Sequence, residues 1–116
     1  YVVVRYLMQP PTQPDVSQGR AVAESFLHNV SDGKAGDAWE SSTAELKSIE
    51  GRESFMKKTS SAPILHEPLE FASTQEVKVQ DSPRTEFLYT SMKSGKMVRV
   101  LVGYDQGQWK VDRLTY

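Results

Sequence analysis

Apolar and polar positions alternate most cleanly at the end of the chain. Val98, Val100, Val102 and Tyr104 fall on every second residue, and Trp109 and Val111 resume that phase after Asp105-Gln106-Gly107-Gln108. Period two marks strands that lay one face on a core, so this stretch predicts two strands folded back on each other. Upstream, Arg84 to Met92 reads as a further strand, and Lys93-Ser94-Gly95-Lys96 is a hairpin turn with Gly to accept positive φ. Leu69 and Phe71, then Val77 and Val79, mark an earlier strand that ends at the turn signal Asp81-Ser82-Pro83.

Register follows by arithmetic. A two-residue turn at Ser94-Gly95 puts Tyr89 opposite Val100 and Phe87 opposite Val102. An even turn after Asp105 puts Tyr104 opposite Trp109 and Val102 opposite Val111. All of these apolar pairs then share one face with Val98, and a one-residue slip would scatter them. The earliest strand joins that face if a bulge or odd loop near Ser82 brings Val77 opposite Phe87. Continuing the same parity places Arg113 on this face and Asp112 and Leu114 on the other. That second face mixes charges with a small apolar strip of Leu88, Leu101, Met92 and Met97.

The first half of the chain has helical spacing. Val16, Gly19, Ala23, Phe26, Leu27 and Val30 form one stripe, with Glu24, Ser25, His28 and Asn29 largely opposite. Asp15 is an N-cap with Gln18 in the capping-box position, and Gly33 supplies the left-handed cap. Lys34 to Thr59 predicts short helices broken at Ser41-Ser42 and at Gly51, with Ser42 or Thr43 capping the middle piece. Helices this short depend on packing, and Trp39, Ile49 and Phe55 are the expected anchors.

The chain of 116 residues, with net charge −1 and no cysteine, fits one soluble domain. The charge balance removes the electrostatic footprint of nucleic-acid binding, and the missing cysteine excludes disulfides and thiolate chemistry. Residues 1–14 are expected to be an apolar stub and a proline-rich spacer, and 15–116 the domain. Tyr1 to Met8 is too short to span a bilayer. It reads as the remnant of a removed anchor or signal segment upstream of Tyr1, or as a strand of the domain itself.

Helices first and strands afterwards predict an α+β fold, with the N-terminal helices packed in the concave face of a curved antiparallel sheet of about four strands. Three stretches carry a resemblance: Ala21-Val-Ala-Glu-Ser-Phe-Leu27, Gly33-Lys-Ala-Gly-Asp-Ala-Trp39, and Val100 to Leu114 with its glycine turn and Trp-Lys-Val strand. Together they resemble the nuclear-transport-factor-two-like superfamily, also called cystatin-like, in its small bacterial envelope-protein form. The likeness covers Asp15 to Leu114 and rests on packing and turn residues. It implies a cone between sheet and helices. The superfamily hosts isomerases, cyclases, dehydratases, transport adaptors, secretion-system scaffolds and membrane-anchored domains, so fold alone does not select an activity.

Enzymes of that plan, such as ketosteroid isomerase, need an acid or base on the concave face, usually with a Tyr donor. Here the strand phase supplies Tyr89, Tyr104 and Arg113 but no carboxylate. His28 and His66 stand apart from other metal-ligand types, and neither a nucleophile elbow nor a phosphate loop occurs, so no metal or cofactor is implied. The expected pocket lining is Trp39, Phe55, Phe87, Tyr89, Tyr104, Trp109 and Arg113. The expected role is a non-enzymatic binding or scaffold domain, extracytoplasmic or membrane-anchored, for a protein partner or a small apolar ligand. A scaffold that homodimerises through the outer sheet face is a separate reading. The alternative is a small isomerase or lyase with Tyr89 or Tyr104 as donor. A cone filled by its own side chains would favour binding; an open one with a carboxylate within reach of Tyr89 would favour the enzyme.

Overall fold

The computed structural model describes residues 16–79, 82–105 and 107–116. Asp15, the apolar stub, the proline-rich spacer and parts of two predicted turns lie outside them. Helix α1 is Val16–Ser31, and its buried residues Gly19, Ala23, Phe26, Leu27 and Val30 follow the predicted stripe. It ends as a Schellman motif: Lys34 N–H donates to Asn29 C=O and Gly33 N–H to Val30 C=O, with Gly33 at φ +81°. Three short helices come next: α2 (Ala35–Glu40), α3 (Ala44–Ile49) and α4 (Arg52–Ser60), then a 3₁₀ turn at Pro63–His66. Thr43 caps α3 by accepting from Leu46 N–H. Trp39 and Phe55 anchor as expected, but Ile49 is 58% exposed and Leu46 fills the position instead.

The sheet is open and antiparallel, in the order β1 (Leu69–Val79), β2 (Ser82–Ser91), β3 (Met97–Asp105) and β4 (Gln108–Thr115). Helix α1 packs across β2, β3 and β4. Phe87, Val98, Val100, Val102 and Val111 meet Phe26, Leu27 and Val30 there and are all buried. The chain is thus an α+β domain with its helices on one face of a four-stranded sheet. Trp109 lies against Gly19, where an added Cβ would come within 3.0 Å of the indole, so a residue without a side chain is required at that crossing.

Register departs from the arithmetic at three places. In the β2–β3 hairpin Phe87 lies opposite Val100 and Tyr89 opposite Val98, two residues from expectation. The turn is longer because Ser91 organises it: its hydroxyl oxygen accepts from Lys93 and Ser94 N–H, and its carbonyl from Gly95 N–H. A two-residue shift preserves parity, so the buried face survives. In β1 the irregularity lies at Phe71/Ser73 rather than near Ser82. Phe71 therefore faces inward opposite Tyr89, whereas Val77 sits opposite Arg84 on the outer face and Thr74 takes the place opposite Phe87.

The third departure is in β4. Tyr104 meets Trp109 and Val102 meets Val111 as expected, but a bulge then places Leu101 opposite Arg113 and Val100 opposite Leu114. Arg113 is thereby exposed on the outer side, and Leu114 turns in to pack on the core. The extra residue is Asp112, which is 1% exposed. Its carboxylate accepts from Thr43 Oγ1 at 2.8 Å and pairs with Arg84 Nε at 3.2 Å. Thr43 N–H also donates to Val111 C=O, so the α2–α3 link is held on the bulge by side chain and backbone together. A Cβ on Gly103 would meet Arg84 Cδ at 2.9 Å, so Gly103 leaves the space in which Arg84 lies over the sheet.

Removing one partner of a buried pair strands the other, so Asp112→Ala should destabilise the domain by about 3 kcal/mol. Thr43→Val should cost about 1 kcal/mol through the lost cap and hydrogen bond. Urea unfolding of Asp112→Ala, Arg84→Met and the double variant checks this. Strict additivity would show that the two side chains do not interact.

Candidate functional site

On α1 the residues Arg20, Glu24 and His28 are spaced four apart and form a polar stripe beside the buried one. That stripe faces the corner where the 3₁₀ turn enters β1. Between them opens a cleft of about 500 Å³, lined among others by Leu27, Leu65, Leu69, Phe71 and Tyr89. The bulge after Phe71 matters here, because it leaves Leu69 and Phe71 opposite Ser91 and Tyr89 on the inner face.

Four side chains converge at the mouth. Arg20 Nε lies 2.6 Å from Glu24 Oε2, and the Arg20 guanidinium carbon stands 3.9 Å above the centre of the Phe71 ring. Tyr89 hydroxyl donates to the same Glu24 oxygen at 3.2 Å. The Tyr89 and Phe71 rings meet edge to face at 5.8 Å. Burial, and then the neighbouring Glu24 carboxylate, push the Tyr89 phenol well above its ordinary value. It is therefore a hydrogen-bond donor throughout the neutral range.

The opposite wall carries Glu67, which accepts from the hydroxyls of Ser91 and Ser94. Those two hydrogen bonds hold its carboxyl below the usual carboxylate range. Glu24, Glu67 and Glu70 stand against Arg20 and His28 around the cleft, so its lining is rich in acceptors. His28 is turned outward and pairs with Asp32 at 3.2 Å. His66 is a link between helix ends: its two ring nitrogens face the carbonyls of Ser31 and Thr59 at 3.2 and 3.1 Å.

The seven residues expected to line one pocket are dispersed. Tyr89 lines the α1–β1 cleft. Phe55 and Arg113 border a different one, of about 370 Å³, with Leu46, Leu114 and Tyr116. Phe87 is buried in the core. Trp39 packs against the core and donates its indole N–H to Glu50 C=O at 2.8 Å. Tyr104, 48% exposed, and Trp109 stack edge to face at 5.5 Å beyond the filled centre of the face, and the Trp109 indole nitrogen finds no hydrogen-bond partner among the described residues.

The space between the helices and the centre of the sheet is thus filled by buried side chains, while a cleft with a carboxylate in reach of Tyr89 opens at its edge. Strand parity contains no carboxylate on this face. Glu24 supplies one from the helix, and the inference that a base is missing falls. Arg20, Glu24 and Glu67 lie outside the strands and so escaped a reading of strand phase. The one signal for Arg20 and Glu24 is the four-residue spacing on α1, which is also what a solvent-facing stripe looks like.

No family model and no curated protein matches the chain. Among the described residues no helix is long and apolar enough to cross a membrane, and no group of three or more His, Asp or Glu is placed to hold a metal ion.

Glu67 makes the β2–β3 turn sensitive to acid. Its folded value is depressed, so the links to Ser91 and Ser94 are complete above the ordinary 4.5 and are lost as the pH falls through the lower folded value. The Ser94 amide should titrate by NMR with a midpoint below 4.5, and Glu67→Gln should abolish that transition.

Proposed function

We propose that the chain is a non-enzymatic binding domain whose ligand enters the cleft between α1 and β1. The observation that carries this is the convergence of Arg20, Glu24 and Tyr89 over the Phe71 ring at the mouth of a cavity of about 500 Å³, a size suited to a small organic molecule. The aliphatic and aromatic floor would take an apolar body, and the Tyr89 hydroxyl and the carboxylates would fix a polar or cationic head. An extracytoplasmic setting and membership of the nuclear-transport-factor-two-like superfamily belong to the same proposal.

A second reading, an isomerase or lyase, is favoured by one contact, Glu24 Oε2 at 3.2 Å from Tyr89 hydroxyl. A base and a donor side by side are what proton abstraction next to a carbonyl requires. Binding is preferred because the Glu24 side chain is 46% exposed and its Oε2 already receives both Arg20 and Tyr89. Proton transfer gains most where water is excluded.

Titration of the ¹⁵N-labelled chain with small aromatic amines, neutral amides and aromatic acids distinguishes the readings. Shifts should gather at Leu27, Phe71 and Tyr89, and Glu24→Gln should weaken the best probe by about 1–2 kcal/mol. Shifts confined to other surfaces would remove the cleft as the site. Hydrogen–deuterium exchange at carbon in ketone probes, present in the wild type and absent in Glu24→Gln, would establish the enzyme instead.

A further inference from the structure

The two edges of the sheet are treated differently. At β4 the Val111 carbonyl receives Thr43 N–H, and α3 lies against the strand. At β1 the stretch Ser73–Val79 pairs with β2 on one side and has no backbone partner on the other among the described residues. Its side chains are exposed except for the half-buried Val77 and Val79. An open edge is a template for another strand unless its sequence forbids pairing, and an edge lysine is the usual device, since it meets a like charge or none.

Lys78 does not act that way against a second copy of this chain. Strands related by a two-fold axis run antiparallel, and paired residue numbers then have a constant sum. With Val77 on the axis, Glu76 faces Lys78 of the copy, Lys78 faces its Glu76, and Gln75 faces Val79. Both charges are matched twice. Sliding the copy by two residues either way, the smallest slide that keeps facing residues on the same side of the sheet, puts Glu76 against Glu76 or Lys78 against Lys78, and like charges directly opposite are unfavourable. Three consecutive residues thus specify a single two-fold register. The irregularity at Phe71/Ser73 limits the pairing to the residues after it.

We infer that β1 is a self-recognition edge, through which two copies join their sheets antiparallel about Val77. The outer sheet face fits this role less well: Leu88 and Leu101 are diagonal neighbours there, flanked by Glu86 and Arg99. With about five residues paired on each copy the contact is below the standard interface size, so the dimer is weak and depends on concentration.

Sedimentation velocity from micromolar to millimolar chain tests this, with amide exchange as the local readout. A concentration-dependent dimer is expected, with slowed exchange confined to residues 75–79. Glu76→Lys and Lys78→Glu should each weaken self-association about tenfold, since each sets like charges opposite. An equimolar mixture of the two variants should regain it, as should the double exchange, and this recovery excludes misfolding as the cause of the loss. A monomer through millimolar concentration would overturn the inference. So would a dimer whose exchange protection falls on the outer face, or one indifferent to both substitutions.

Discussion

The buried carboxylate of Asp112 is the constraint on which the sheet end and the helix packing both depend. A charge taken out of water must be compensated, and here Arg84 from β2 and Thr43 from the α2–α3 link do so. The same Thr43 hydroxyl caps α3, so one oxygen orders a helix start and satisfies the carboxylate. The bulge that admits Asp112 reverses the parity of the last residues of β4, sending Leu114 to the core and Arg113 to solvent. Gly103 completes the arrangement by leaving room for Arg84. Four separate parts of the chain are thereby locked to one residue.

The candidate site arises where that locking stops. Over β3 and β4 the helices lie close and the interior is filled with valines and Phe87. Toward the start of β1 a cleft remains between the strand and α1. Its polar groups come from both layers: Arg20 and Glu24 from the helix, Tyr89 from the sheet, Glu67 from the connection. Tyr89 is nearly buried yet ends on a carboxylate at the rim, so it joins the apolar floor to the polar mouth. That boundary is what the proposed ligand, apolar at one end and polar at the other, would meet.

Strand periodicity located the buried face because parity survives a two-residue change in turn length, as the β2–β3 hairpin shows. It could not locate bulges. Leu69, Phe71, Val77 and Val79 share odd parity in the chain, yet the irregularity at Phe71/Ser73 divides them between two faces. Arg113 was misplaced for the same reason. Glu24 was legible as a helix residue and not as a site residue, since the four-residue stripe it belongs to differs from a solvated one only by the groups that lie across from it.

The amino-acid sequence by itself determined the α+β class, the buried stripe of α1 and its glycine cap, the breaks between the short helices, and the apolar strand face. These rest on local periodicity and turn chemistry, which neighbouring residues carry among themselves. Only the tertiary structure decided the bulge at Asp112, the side on which Arg113 emerges, the meeting of Glu24 with Tyr89 and the absence of a backbone partner for the β1 edge among the described residues. Each of those depends on residues far apart in the chain competing for one space or one hydrogen bond, and no local pattern records that outcome.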